Sequence, residues 1–283
     1  SATAATLYVD DDGAGNYTTI QSALNDAVSG DTIIVKPGTY PGSIEVTLEG
    51  LTIASESSTQ KDTIIEVASG SAAFNIQPGC GKTIIKGFTV KGLKSGYGIN
   101  FDSASSCTIE NNKFSNLSSG VSISLWTGGN QSILNNEFSN CDTAIAIFES
   151  MDNKLKGNKI SNCDTGVQVI SDALGNFITD NNISNCSTGL WLDDSSGSEV
   201  YNNYFSNKVN LKLTEPGKCI WNTTRTKEQN IIGGAYTGGN YWATPAGNGF
   251  SQTHKDINGD GIAEEPYQID QQNIDYLPLV VPG

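Results

Sequence analysis

A short acidic loop near the end of the chain holds the residues best suited to bind a cation. The candidate ligands are Asp256, Asn258, Asp260, the backbone carbonyl of Ile262, and Glu264 or Glu265. Oxygen donors at alternate positions, with glycines between them, are typical of a calcium-binding loop. Tyr267 stands where an EF-hand has its bidentate glutamate, and no helices flank the loop. We therefore expect a structural Ca²⁺ ion here, the alternative being a polar turn that holds no ion.

A second group of residues has the chemistry of a sugar-binding surface. The candidate carbohydrate-binding residues are Asp102, Trp126, Phe148, Glu149 and Trp191. Exposed aromatic rings pack against the C–H faces of sugars, and carboxylates accept hydrogen bonds from hydroxyl groups. The alternative is a decorated surface that binds nothing.

The same surface carries the acids that cleavage of a glycan would need. Asp172, paired with Asp193 or Asp194, would act as general acid and base in a glycoside hydrolase, and the distance between the carboxyl groups would decide inversion or retention. A lyase acting on uronic acids would need Lys or Arg to neutralise the carboxylate, and these strands lack basic residues. A hydrolase is therefore the more plausible of the two enzymes.

An internal repeat is the feature that would position all of these side chains. An Asn-x-(Phe/Ile)-Ser-Asn segment recurs at 112–116, 136–140, 158–162, 181–185 and 203–207. A short strand with apolar residues at alternate positions follows each of the first four copies. A period of about 22–24 residues with several strands per repeat predicts one coil of a β-solenoid. The sequence thus predicts an all-β fold, a right-handed parallel β-helix.

In such a fold, equivalent residues lie above one another in columns. We expect one inward column of Phe114, Phe138, Ile160, Ile183 and Phe205. We expect an asparagine ladder in the second Asn of each repeat, namely Asn116, Asn140, Asn162, Asn185 and Asn207, because Asn tolerates left-handed backbone and its amide can bond the next coil. Cys141, Cys163 and Cys186 should form a third column between Leu117 and Lys208, either as buried thiols or with one bridge.

The chain is predicted to be one β-helix domain over residues 1–283. Residues 1–30 form an N-terminal cap, 31–215 the coils, and 216–283 the last coil and an irregular C-terminal cap. Residues 17–28 have the spacing of an amphipathic helix, which Thr18 or Thr19 can cap. Such a helix would cover the open end of the first coil, where an exposed sheet edge would otherwise invite aggregation.

Charge and hydropathy exclude two classes of partner. The chain carries a formal net charge of −14 with only 16 % charged residues, which argues against binding to nucleic acid phosphates. No apolar run approaches the length of a membrane-spanning helix. The small, polar first residues indicate a mature N-terminus after signal cleavage or a chosen boundary.

Segments at both ends of the chain resemble known families. Residues 8–13, 17–24 and 30–40 resemble the entry to pectin-esterase-like and NosD-like β-helices, and the Asn-rich coils resemble carbohydrate-binding and sugar-hydrolase repeats. Residues 238–242, 256–262, 265–267 and 275–279 are similar to the closing segment of NosD-like proteins, which are abundant on the surfaces of methane-producing archaea. The NosD-like group is labelled periplasmic and copper-binding, but here only His254 and Met151 offer ligands of the kinds copper prefers, and they lie far apart in sequence.

The sequence and the resemblance together predict a secreted or cell-surface protein of structural or adhesive type. Its partner would be an extracellular polysaccharide or surface glycan, with association to a cell-surface layer. The rival prediction is a polysaccharide-active enzyme, a glycoside hydrolase or, less readily, a uronate lyase. Converging carboxylates inside a groove would favour the enzyme, and a flat face would favour the scaffold.

Overall fold

The protein is a stack of short parallel strands wound into a β-helix. The computed structural model describes residues 4–57, 61–124, 129–215 and 217–281, and among residues 121–124 the side chains of 121 and 122 only. Two short helices and one antiparallel strand pair interrupt the otherwise parallel stack.

The strands of the first four coils are mostly three to six residues long. They are β1 (Thr6–Val9), β2 (Thr32–Val35), β3 (Gly38–Pro41), β4 (Ile44–Val46), β5 (Thr52–Ser55), β6 (Thr63–Glu66), β7 (Ala72–Ile76), β8 (Ile84–Lys86), β9 (Thr89–Lys91), β10 (Tyr97–Asp102), β11 (Thr108–Glu110), β12 (Lys113–Ser115) and β13 (Ser119–Ser124). The helix α1 (Ile20–Asp26) lies between β1 and β2.

The later coils repeat a pattern of two three-residue strands and one six-residue strand. They are β14 (Ser132–Leu134), β15 (Glu137–Ser139), β16 (Thr143–Phe148), β17 (Lys154–Lys156), β18 (Lys159–Ser161), β19 (Thr165–Ile170), β20 (Phe177–Thr179), β21 (Asn182–Ser184), β22 (Thr188–Asp193), β23 (Glu199–Tyr201), β24 (Tyr204–Ser206) and β25 (Val209–Thr214). The closing elements are β26 (Tyr241–Ala243), α2 (Phe250–Thr253), β27 (Tyr267–Gln268) and β28 (Ile274–Asp275).

Three parallel sheets run along the described part of the molecule. Sheet A has the order β1-β2-β5-β8-β11-β14-β17-β20-β23, and sheet B has the order β3-β6-β9-β12-β15-β18-β21-β24-β26. Sheet C has the order β4-β7-β10-β13-β16-β19-β22-β25. Each coil contributes one strand to each sheet, so the predicted parallel β-helix is confirmed. In the described residues, no helix is long and apolar enough to cross a membrane.

The predicted inward columns are confirmed. Phe114, Phe138, Ile160, Ile183 and Phe205 pair in consecutive registers of sheet B and are fully buried. The rings of Phe114 and Phe138 stack with their centroids 4.9 Å apart. Because each side chain packs on the equivalent side chain of the next rung, the core is continuous along the axis of the β-helix.

The asparagine ladder exists, but it is formed by the first Asn of each repeat. Asn112, Asn136, Asn158, Asn181, Asn203 and Asn240 are buried, and each of the first five donates its backbone N–H and side-chain amide to the Oδ1 of the next. The prediction that the second Asn forms the ladder is wrong for this reason. Asn116, Asn140, Asn162 and Asn185 have left-handed backbone, as expected, but their side chains are exposed.

The turn between β24 in sheet B and β25 in sheet C is one residue shorter than the equivalent turn between β21 and β22. Ser184 pairs with Ser206 and Thr188 pairs with Val209, so Asn207 takes the inward place that Cys186 holds one coil earlier. Asn207 is buried, and its Oδ1 accepts the Cys186 N–H at 2.9 Å. Asn207, not Lys208 as predicted, therefore ends the cysteine column.

All six cysteines are buried and carry free thiols. Cys141, Cys163 and Cys186 each donate the Sγ–H to a backbone carbonyl two residues earlier. Burial also raises the pKa of the Cys107 thiol to about 11. Buried thiols with raised pKa values react slowly, because the thiolate is the nucleophile.

We expect a thiol reagent to label none of the six cysteines in the folded protein and all six after denaturation without reductant. The measurement is a thiol count in native and denaturing buffer. Recovery of two fewer thiols in denaturant would contradict the free-thiol assignment and indicate one bridge in the column.

Elements outside the regular coils pack against both ends of the β-helix. At the N-terminal end, the Oγ1 of Thr19 caps α1, whose buried face of Ile20, Ala23 and Leu24 contacts the first strands. The helix is shorter than the predicted 17–28. At the C-terminal end, the indole N–H of Trp221 donates to Asn273, and that of Trp242 to Asp275, both at 2.9 Å.

Candidate functional site

The outer face of sheet C carries the predicted sugar-binding residues in register. Asp102 and Phe148 occupy one outward column two rungs apart, and Ile170 and Asp193 follow in the same column. Glu149 comes directly after Phe148, at a left-handed corner with φ of 50°. Trp126 lies outside the described residues. The structure thus brings Phe148, Ile170 and the neighbouring acids together as a strip along the surface.

Trp191 stands in the adjacent column, and its ring is covered. Lys212 is its partner on the last rung of sheet C, and the Lys212 Nζ lies 3.4 Å from the centroid of the indole ring. An ammonium group over the ring face is a cation–π contact. A sugar that stacked on Trp191 would first have to displace this lysine.

The three predicted catalytic acids lie along one corner of the helix. Asp193 ends β22, Asp194 follows it, and the Asp172 N–H donates to the Asp194 carbonyl at 2.7 Å. Asp172 and Asp194 are exposed, and Asp193 is half-buried. Two grooves of the described surface, of about 570 and 540 Å³, are lined by other residues.

A groove that the sequence did not predict lies on sheet A. It has a volume of about 570 Å³, and we call it the sheet-A groove. Its floor is the outer face of β17, β20 and β23, and its wall is the loop of residues 222–237. Its lining residues are Lys154, Lys156, Phe177, Thr179, Asp180, Tyr201, Asn202, Thr223, Thr226, Glu228, Gln229 and Thr237. One aromatic ring, Phe177, is exposed over 37 % of its surface on this floor.

The wall of the groove is held by contacts on both of its sides. Thr226 and Thr237 bond each other's backbones as an antiparallel bridge. The guanidinium of Arg225 lies 4.1 Å over the ring of Tyr236, and one of its nitrogens lies 3.0 Å from the Asp260 carboxylate. A wall fixed in advance costs little ordering entropy when a ligand binds.

One buried amide joins the wall of the groove to its floor. The Oδ1 of Asn202 accepts the backbone N–H of Ile231, and its Nδ2 donates to Asp180. Asp180 in turn pairs with Lys156, at 3.3 Å. Burial and two nearby carboxylates raise the pKa of Tyr201, so its hydroxyl stays protonated and able to donate a hydrogen bond.

The charges that line the groove are mixed, and two of the four, Lys154 and Glu228, form no ion pair among the described residues. Lys156 is paired with Asp180, whereas no carboxylate of the described residues lies within 4.0 Å of the Lys154 Nζ. Lys154 is adjacent to Phe177 in the register of sheet A. An aromatic face beside an uncompensated ammonium group suits a ring that carries an anionic substituent.

Sequence reasoning missed this groove because its wall comes from a segment outside the repeat. The coil pattern places Phe177 and Tyr201 at outward positions of sheet A, where polar residues are otherwise common. Two aromatic residues at outward positions of consecutive rungs are the signal that could have identified the floor. Nothing in the repeat predicts that residues 222–237 fold back over it.

The predicted calcium loop is closed by hydrogen bonds to its own backbone. Asp256 and Asp260 are both buried, and Asp256 accepts the N–H groups of Gly259, Asp260 and Gly261. Asn258 accepts the Asp260 N–H. The outer carboxylate oxygen of Asp260 pairs with Arg225, so a positive charge already lies at this edge of the loop.

The remaining candidate ligands lie on different sides of the loop. Glu264 returns to accept the Ile257 N–H at 3.1 Å, whereas Glu265 lies 3.6 Å from the His254 ring. Ile262 is buried and forms an antiparallel bridge with Leu279. Glu264 is therefore better placed than Glu265 to complete a shell, and calcium binding here stays a prediction.

We expect the melting temperature of chelator-treated protein to rise when Ca²⁺ is added. An ion that binds only the folded state stabilises that state by about 2.7 kcal/mol when the ion concentration is about 100 times its Kd. Asn258→Ala removes one predicted ligand without touching the Arg225–Asp260 pair, and should show a smaller rise in melting temperature on addition of Ca²⁺. Equal melting temperatures with chelator and with Ca²⁺ would contradict the prediction.

Comparisons with known proteins agree with this architecture. A family model described as "Periplasmic copper-binding protein (NosD)" matches residues 24–247. No curated protein sequence matches the chain. Three solved structures are similar at 13–14 % identity, which shows the fold alone: a complex of XylC with xylose (TM-score 0.64), DFA-IIIase from Arthrobacter chlorophenolicus A6 (0.63), and a rhamnogalacturonan lyase (0.56). They cover 76, 75 and 71 % of this chain, which spans 64, 66 and 69 % of theirs.

The described residues do not fit a copper site. Copper is held by several imidazole, thiolate or thioether ligands together. The stacked Cys141, Cys163 and Cys186 are buried thiols, and each donates to a backbone carbonyl. His254 is the only histidine of the chain, its Nδ1 lies 2.9 Å from the Phe250 carbonyl, and the single methionine, Met151, belongs to another coil. The described residues contain no group of three or more His, Cys, Asp or Glu side chains arranged for a metal ion.

Proposed function

The chain belongs to the NosD family, and from that premise we propose that it is an extracellular β-helix protein that binds polysaccharide in the sheet-A groove. The observation that carries the proposal is the exposed Phe177 ring on the floor of a groove otherwise lined by hydrogen-bonding side chains. A groove open at the surface admits a stretch of a long chain, whereas a closed pocket would admit only a small molecule.

The groove offers the contacts that a sugar unit needs. The Phe177 ring packs against the C–H face of one unit. Thr179, Tyr201 and the Lys156–Asp180 pair present donors and acceptors to its hydroxyl groups. Lys154 favours a unit that carries a carboxylate or a sulfate, because its charge has no carboxylate partner within reach among the described residues.

The sheet-C strip is the second candidate surface for the same ligand class. Phe148 and Ile170 are stacked on consecutive rungs, with Glu149 and Asp193 beside them. Lys212 covers the ring of Trp191 in the adjacent column. The sheet-A groove encloses more of a ligand, so we assign polysaccharide binding to the groove.

Binding without cleavage is the activity that this arrangement supports best. Of the two carboxylates that line the groove, Asp180 is engaged by Lys156 and Asn202, so Glu228 does not face a second free acid there. The acids of the alternative hydrolase, Asp172, Asp193 and Asp194, lie outside the groove. The structural similarity to a rhamnogalacturonan lyase, which is a similarity of fold, supports a polysaccharide as the ligand.

The test is a glycan array of neutral, uronic acid-containing and sulfated polysaccharides, followed by a reducing-end assay on every glycan that binds. We expect binding to glycans with acidic units and no new reducing ends. New reducing ends, lost in Asp172→Asn or Asp193→Asn, would favour the hydrolase. No binding to any glycan would overturn the proposal.

A further inference from the structure

Sheet C ends one rung before the other two sheets at the C-terminal end of the helix. Sheet B continues past β24 to β26, and sheet A continues past β23 through a bridge between Glu199 and Ile220. In sheet C, β25 is the last strand, and no described strand pairs with its outer edge. A sheet edge presents backbone N–H and C=O groups to whatever lies beside it.

The inward side chains of β25 are correspondingly less buried than those of every described rung before it. Leu211 and Leu213 are half-buried, whereas Leu190 and Leu192, directly above them in the register, are fully buried. Val209 is exposed over 45 % of its surface. The core of the solenoid is therefore less covered at β25 than at the described rungs before it.

A groove of about 540 Å³ occupies the place of the next rung, and we call it the edge groove. One wall is β25, with Val209, Leu211 and Leu213. The opposite wall belongs to the C-terminal cap and includes Tyr267 and Ile269. The cap bounds the far side of the groove, which lies where the next strand of sheet C would pair with β25.

The opposite end of sheet C shows how an edge is closed in this protein. The side-chain amide of Gln21, on α1, accepts the N–H of Glu45 at 2.8 Å and donates to the Glu45 carbonyl at 3.4 Å. This amide takes the place of a neighbouring strand at β4. On β25, the Asn210 side-chain amide accepts the N–H of Asn207 at 2.8 Å and donates to the Ala243 carbonyl of β26, but Leu211 and Leu213 stay half-buried.

The charge at the entry to the edge groove indicates what kind of strand fits. Lys208 is exposed at the start of β25, and no carboxylate of the described residues lies within 4.0 Å of its Nζ. In the two preceding coils, the residues at the position of Lys208 are Ser187 and, one coil further back, Asp164. A strand that enters with an acidic residue would therefore pair with Lys208 and continue the sheet at the same register.

We propose that the edge groove binds an extended peptide of a partner protein, which adds to sheet C as a parallel strand beside β25. The peptide carries an acidic residue opposite Lys208 and apolar residues opposite Leu211 and Leu213. Backbone hydrogen bonds supply affinity, and the alternating side chains supply specificity. This inference is independent of polysaccharide binding, because it uses a different sheet and no residue of the sheet-A groove.

The chain itself provides a probe of the required pattern. Residues 164–170, Asp-Thr-Gly-Val-Gln-Val-Ile, form the rung two positions earlier, with Val167 and Val169 in the columns of Leu211 and Leu213. The experiment measures fluorescence anisotropy of a labelled peptide with this sequence against the intact protein. The control peptide, Asp-Ile-Gly-Thr-Val-Gln-Val, has the same composition with Thr and Gln at the positions of Val167 and Val169.

We expect the first peptide to bind at least about tenfold more tightly than the control peptide. Lys208→Glu should weaken its binding and strengthen that of a peptide beginning with Lys. Leu213→Asp, checked for native circular dichroism, should abolish binding. Because Lys208 is exposed, its variant keeps the test valid even if Leu213→Asp fails to fold. No binding of the first peptide, or equal binding of both peptides, would overturn the proposal, as would indifference to Lys208→Glu.

Discussion

Asn158→Ala should lower the free energy of unfolding by about 4 kcal/mol, because it leaves several buried polar groups without a partner. The Asn158 Oδ1 accepts the backbone N–H of Asn136 and its side-chain amide, at 3.0 and 3.2 Å. The Asn158 Nδ2 donates to the Ile133 carbonyl at 2.8 Å. Alanine replaces none of these bonds, and the site is closed to water.

Asn162 provides a matched control in the same repeat. It is four residues away, exposed, and has φ of 56°. Asn162→Gly should change stability little, because glycine adopts left-handed backbone without strain. Urea unfolding of both variants measures the difference. A larger loss in Asn162→Gly than in Asn158→Ala would contradict the ladder assignment.

The second large effect concerns pH and the buried carboxyl group of Asp275. Asp275 ends the asparagine ladder: its Oδ2 accepts the Asn240 N–H and the Trp242 indole N–H, and its Oδ1 accepts the Leu277 N–H. Burial outweighs these bonds and raises the pKa of Asp275 to about 7. A Cβ at Gly239 would overlap this carboxylate, which explains the glycine there.

A carboxyl group whose pKa is raised by folding favours the folded state while it is protonated. Its contribution is fully present below the pKa of the unfolded chain, about 3.9, and is lost as pH rises to about 7, which amounts to about 4 kcal/mol. We therefore expect the free energy of unfolding to fall over this range. Asp275→Asn, which does not titrate, should remove that part of the slope. An identical pH profile in the variant would contradict the raised pKa.

The columns could be predicted from the sequence because periodicity reports them directly. Phe114, Phe138 and Ile160 recur once per coil, and the structure stacks them. The choice between the two asparagines could not be made in the same way, since both recur with the same period. Which of the two asparagines points inward depends on the backbone geometry of the corners. In the first repeat, Asn111 and Asn116 have left-handed φ, and the side chain of Asn112 is buried.

The candidate site was less predictable than the fold. Periodicity places the outward residues of sheet C, so the positions of Phe148 and Asp193 followed from the register. It gives no information about segments outside the repeat. The wall of the sheet-A groove depends on long-range contacts such as Arg225 with Asp260 and Asn202 with Ile231, and no local pattern encodes them.

The affinity for a polysaccharide should depend on different residues in the sheet-A groove and on the sheet-C strip. In the groove, Phe177 and Lys154 lie side by side, so affinity should depend on both the ring and the charge. On the strip, affinity should depend on Phe148 and should be indifferent to Lys154. Salt should weaken binding in the groove, because part of it comes from an exposed charge.

The most direct measurement is the affinity of Phe177→Ala for an acidic oligosaccharide selected on the array, by isothermal titration calorimetry, beside Phe148→Ala. Each variant removes one partly exposed phenylalanine, so the two are matched in chemistry. If polysaccharide binds in the sheet-A groove, Phe177→Ala should weaken binding by at least about tenfold and Phe148→Ala should leave it unchanged. A loss confined to Phe148→Ala would contradict the assignment and move the ligand to sheet C.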